Sequence, residues 1–262
     1  MLNASSKHDL KIEKRSSRFV SIILVLIIVF LSAIFMQAVA AIVISAYPSF
    51  MGWDTVRAEE WFDSPGARLA MVFLFELLSV GTIYLFIRYY LKRSFRELVG
   101  LKRMKWFEPL IAPAAFIAYL ILFMIVFTLV DNFLPIVDTA KEQVLGFDHE
   151  SKGLALLMAF VSLCVLPPIA EEILFRGFLY GAFRSNKVPF IVSTIITSGI
   201  FGFLHLFGAE SGLLWIAFID TFLLSVILCV IRERTGSIWA CIGLHMIKNG
   251  FVFLNLFVIN AS

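Results

Sequence analysis

The chain has 262 residues, of which 60% are hydrophobic and only 16% charged, with a mean hydropathy of +0.93. A soluble domain is apolar over about half its residues, so this composition excludes one and marks an integral, multi-pass membrane protein. The net charge of +3 does not call for nucleic acid as a partner, because Lys and Arg gather in short connections between apolar runs, as membrane orientation requires.

Residues 1–18 form a basic segment carrying Lys7, Lys11, Lys14, Arg15 and Arg18. The apolar run that follows, Phe19 to Ala46, exceeds a signal-peptide core and reads as a signal anchor; Ala38-Val39-Ala40 leaves a cleaved signal as the alternative. Runs close to the ~20 residues needed to cross a bilayer recur at Leu69 to Phe86 and Leu110 to Val130, completing an N-terminal unit of three spans over residues 19–150. Ile136 to His149 is expected to form a short surface helix. Residues 151–262 then hold four more runs, Leu154 to Phe175, Pro189 to Phe207, Leu213 to Ile231 and Ile238 to Ile259. The expected fold is all-α, a polytopic bundle of about seven transmembrane helices. No internal repeat is visible. Cys164, Cys229 and Cys241 all lie within these runs, which indicates no extracellular disulfide framework.

The Arg88 to Lys105 connection is strongly basic, and Arg184, Lys187, Arg232 and Arg234 fall on the same side as the N-terminus. The opposite connections carry Arg57, Arg68, Lys141 and Lys152 among more numerous acids, so the positive-inside rule predicts an N-in, C-out topology.

Glu171, Glu172 and Arg176 stand inside the fourth run, where each charge costs at least ~2.5 to 3.5 kcal/mol on insertion scales. Glu172 and Arg176 have the i, i+4 spacing of a helix ion pair, while Glu171 points about 100° away, free to address His205 on the neighbouring fifth run. Pro167-Pro168 should free backbone carbonyls just before Glu171. His245 and Asn249 share one face of the seventh run, and Phe201 lies one turn before His205, placed to orient the imidazole or wall the cavity. Asp220 and Lys248 fall at similar height and are expected to neutralise one another; Glu76 has no evident partner. A lone histidine or a single Glu-Arg pair most often serves packing. Four titratable or polar groups converging from three helices instead suit a reaction centre, although proton relays in transporters use similar residues.

Glu171-Glu172-x-x-x-Arg176, Phe201-x-x-x-His205 and His245-x-x-x-Asn249, in this order on late spans, resemble the three motifs of the CPBP family, the CAAX proteases and bacteriocin-processing enzymes also called Abi proteins. The resemblance covers roughly Gly153 to Asn260. It implies an intramembrane endopeptidase in which Glu171 and His205 activate water while His245 and Asn249 stabilise the oxyanion. Glu172, Arg176 and Phe201 would support them.

The family has been described both as metalloproteases and as glutamate-dependent enzymes. A metal-free mechanism is the reading adopted, with zinc held by Glu171, His205 and His245 as the alternative. The implied partners are membrane lipid and a lipidated or membrane-associated peptide, and a membrane protein could also bind. Eukaryotic members trim prenylated CAAX proteins, whereas the compact size and short loops here suit a bacterial plasma-membrane protein. The site is expected in the cytoplasmic half of the bilayer. The rival function is a non-catalytic bacteriocin-immunity or membrane-sensor-binding protein.

Overall fold

The structure, a computed structural model, describes residues 21–134, 137–138, 141, 143–207 and 212–259. The basic segment 1–18 lies outside these. Among the described residues there are helices and no strands. Six helices are long and apolar enough to cross a membrane: α1 (Ser21–Phe50), α3 (Pro65–Tyr90), α5 (Glu108–Phe133), α6 (Leu154–Ser185), α8 (Trp215–Thr235) and α9 (Trp239–Ile259). Two short helices, α2 (Thr55–Asp63) and α4 (Phe95–Val99), occupy connections.

The fifth apolar run departs from a full span. Its helix, α7 (Phe190–Leu204), has 15 residues. At the helical rise that is about 22 Å, short of a hydrocarbon core of about 30 Å. The expected surface helix at Ile136 to His149 does not form among its described residues, and the remainder of that segment lies outside them.

Local chemistry sets the helix ends. Asp54 and Ser64 cap α2 and α3 by accepting from the backbone N–H groups of Arg57 and Ala67, and Pro65 opens α3, where its missing N–H costs nothing. Gly100 closes α4 at φ +83°; a Cβ there would lie 2.6 Å from the Arg232 guanidinium, so this glycine serves both the turn and the approach.

Packing builds the bundle around α6. Val25 and Val29 of α1 meet Ile83 and Ile87 of α3, with Leu174, Phe178 and Leu179 of α6 in the same core. Ser79 Oγ donates to the Ser32 carbonyl across the α1–α3 contact. Ala112 and Tyr119 of α5 pack with Leu224 and Leu228 of α8 and Leu244 of α9. The outward faces carry exposed apolar side chains such as Ile42, Ile117, Ile191 and Ile195, the surface that lipid would cover. Cys164, Cys229 and Cys241 are free and buried.

Candidate active site

The carboxylates sit on an irregular stretch of α6. Wide i→i+5 turns at Val161–Val165 and Ile173–Leu179 bracket a short α-helical piece, Leu166–Glu172. The Leu163 carbonyl has Pro167 as its α-helical partner position and Pro168 as its wide-turn one, and neither has an N–H to give. Asn249 Nδ2 fills the vacancy, donating to Leu163 O at 3.0 Å. The freed carbonyl expected before Glu171 is thus present, and one of the Asn249 amide protons is committed to it.

Glu172 and Arg176 form the expected ion pair, Nη1 to Oε1 2.9 Å, with both side chains fully buried. The same Glu172 oxygen also lies 3.0 Å from His245 Nδ1. An ionised carboxylate only accepts, so the imidazole donates through Nδ1, and this fixes the other nitrogen, Nε2, as the one facing Glu171. That separation, 3.7 Å to Glu171 Oε2, is beyond a hydrogen bond but within ion-pair reach. Glu172 is therefore both an ion-pair partner and the anchor of His245, a tertiary role that i, i+4 spacing does not reveal.

Phe201 is the hub behind the cluster. The Arg176 guanidinium lies 4.6 Å over its ring, His205 is 4.7 Å from it and His245 meets it edge-on at 5.9 Å. Full burial of Phe201 leaves these three neighbours little room to shift. His205 itself caps the C-terminus of α7, with Nδ1 hydrogen-bonded at 2.8 Å to the Phe201 carbonyl. The imidazole within ion-pair reach of Glu171 is that of His245, not His205, contrary to the expected pairing. The reason is local: His205 is tied to its own helix end.

Glu171, His205, His245 and Asn249 nevertheless line one cavity of about 260 Å³. Glu172, Arg176 and Phe201 form the wall behind it. Asp220 and Lys248 line the same cavity and pair at 2.7 Å, with Tyr119 donating a hydrogen bond to Asp220. Glu76, largely buried on α3, interacts electrostatically with Glu171; no sequence pattern linked the two. From mid-bundle the cavity extends to Gln143 and Leu145, on the side opposite the basic connections.

Among the described residues no group of three or more His, Cys, Asp or Glu side chains is placed to hold a metal ion. His205 and His245 each have Nδ1 engaged, leaving Nε2 as the nitrogen available for chemistry.

Residues 153–251 match a family model described as type II CAAX prenyl endopeptidase Rce1-like. YyaK of Bacillus subtilis, an uncharacterized protein, is 33% identical over 186 residues, covering 70% of this chain and 58% of its own. YdiL of the same organism, named as a candidate membrane peptidase, is 36% identical over 98 residues, 37% of this chain and 36% of its own. A UPF0177 protein of Lactococcus lactis, YxdF, is 29% identical over 80 residues, 28% of this chain and 45% of its own. The chain thus spans between 36% and 58% of the length of these relatives. No solved structure matches it.

Proposed function

We propose that the chain, whose residues 153–251 match the Rce1-like model, is a CPBP-family intramembrane endopeptidase acting on a lipidated or membrane-associated peptide. One observation carries this reading: four polar side chains from three helices, Glu171, His205, His245 and Asn249, line a single cavity inside the bundle.

Glu171 is the base that takes a proton from the attacking water, and His205, held through Nδ1, orients that water with Nε2. Attack on the scissile carbonyl places negative charge on its oxygen. His245 in its imidazolium form donates from Nε2 to that oxyanion while Nδ1 stays on Glu172, and the second amide proton of Asn249 adds a donor. With both glutamates ionised beside Arg176, an imidazolium brings the four charges to neutrality. Glu171 then returns its proton to the leaving amine. No step passes through a metal, so chelation should leave the rate unchanged.

Replacing Glu171 with Gln or His205 with Ala should abolish cleavage of membrane peptides by the purified protein without unfolding it. Comparing peptide profiles of cells carrying active and Glu171→Gln protein would also identify the substrate. Full activity in either variant sinks the mechanism, and bacteriocin protection that survives Glu171→Gln would point to a binding role instead.

A further inference from the structure

The two ends of the bundle are chemically different. At one, Arg232 donates to the carbonyls of Leu98 and Arg176, Trp239 Nε1 to that of Lys102, and Arg184 pairs with Glu233 at 2.7 Å. These contacts lace the α3–α5, α6–α7 and α8–α9 connections into one face, where α1 also begins. At the other, Arg68 approaches Gly146, Lys141 approaches Gly212 and the His149 ring lies 5.0 Å from Phe257. This second face gathers the remaining connections.

Of the 22 Lys and Arg residues, only Arg57, Arg68, Lys141 and Lys152 belong to the second face, and Arg176 and Lys248 lie within spans. All the others sit at the first face or in the segment leading into α1. Acids reverse the pattern, with Asp54, Glu59, Glu60, Asp63, Asp148 and Glu150 on the second face. Short loops rich in Lys and Arg are retained in the cytoplasm, so the first face is cytoplasmic.

The cavity is closed toward that face. Phe175, Arg176, Phe178, Leu179, Phe201 and Leu244 are all at most 2% exposed and fill the bundle on the basic side of Glu171 and His245. In the other direction the lining continues from His245 through Asn249 and Leu256 to Gln143 and Leu145. Gln143 is exposed on the acidic face.

We infer that the cavity opens to the extracytoplasmic side, and that the substrate is a peptide segment presented from that side, exported or anchored in the outer leaflet. The cytoplasmic C-terminus of a prenylated protein could not reach Glu171 by this route. The substrate assignment rests on the protease reading above; the orientation does not.

Single cysteines test the orientation in the full chain, whose own three cysteines are at most 1% exposed. Val56→Cys and Gln143→Cys should react with a membrane-impermeant maleimide on intact bacterial cells, and Met104→Cys only after permeabilisation. The reverse pattern overturns the inference. In a second arm, right-side-out and inverted vesicles carrying active or Glu171→Gln protein receive a library of acylated hydrophobic peptides from outside. Cleavage by the active protein in right-side-out vesicles alone is expected, and cleavage confined to inverted vesicles overturns it. Absence of cleavage in both, and in detergent, would remove the protease reading, while the labelling pattern would still decide the orientation.

Discussion

Asn249 offers the sharpest separation of structural from chemical roles. Truncation by Asn249→Ala strips the Leu163 carbonyl of its donor, and neither Pro167 nor Pro168 can replace it. The Leu163 carbonyl is part-buried beside the cavity, so the loss should lie toward the lower end of the about 1 to 3 kcal/mol of an unsatisfied buried group, which a thermal or denaturant unfolding series on the purified protein in detergent would resolve. Pro167→Ala restores an N–H four residues after Leu163, so the double variant Asn249→Ala/Pro167→Ala should recover most of that loss. Cleavage should not recover with it: if the second amide proton serves the oxyanion, kcat stays about 10²-fold to 10³-fold down in both variants carrying Asn249→Ala. Additivity of the two stability changes within about 0.5 kcal/mol would refute the claim that Asn249 serves the orphaned carbonyl. Recovery of kcat along with stability would confine Asn249 to a structural role.

Two further outcomes follow from the wall behind the cavity. Glu172→Gln removes the charge that neutralises a fully buried Arg176 and should cost about 3 to 5 kcal/mol, whereas Glu172→Gln/Arg176→Met should cost less than that single change; a loss below about 1 kcal/mol for Glu172→Gln would show that the pair does not hold this region. Phe201→Leu removes ring contacts with Arg176, His205 and His245, each of order 0.5 to 1.5 kcal/mol. It should lower kcat with KM little changed, and a rise in KM alone would place Phe201 against the substrate instead.

Much of the architecture was legible because a bilayer imposes length and polarity on each span. Six apolar runs became long helices, five of them within about four residues of the expected limits and α6 running ten residues past Phe175 to Ser185, and the Glu172–Arg176 and Asp220–Lys248 pairs followed from spacing and height. The shortness of α7 was not legible. Its run stays apolar through Phe207, and the helix ends because the His205 side chain competes for the Phe201 carbonyl, an interaction that hydropathy does not register. The Glu172–His245 contact was hidden for another reason. It joins residues 73 apart in sequence, across a helix whose winding changes at Ile173, so one-helix spacing rules could not reach it. Glu76 carried no pattern at all, and only packing of α3 beside Leu166–Glu172 brings it near Glu171.

The two wide turns in α6 make its length as consequential as its composition. Each residue added to or removed from a helix rotates everything downstream by about 100°. Removing one residue within Val161–Val165 would swing Glu171 away from His245 and carry Arg176 off Phe201 in the same motion, without altering any functional side chain. Drift in this protein should therefore tolerate exchanges of one apolar residue for another along α6 more readily than a single insertion or deletion between Leu154 and Arg176. A relative that differs in length there needs a compensating change before its motif can be equated with this one.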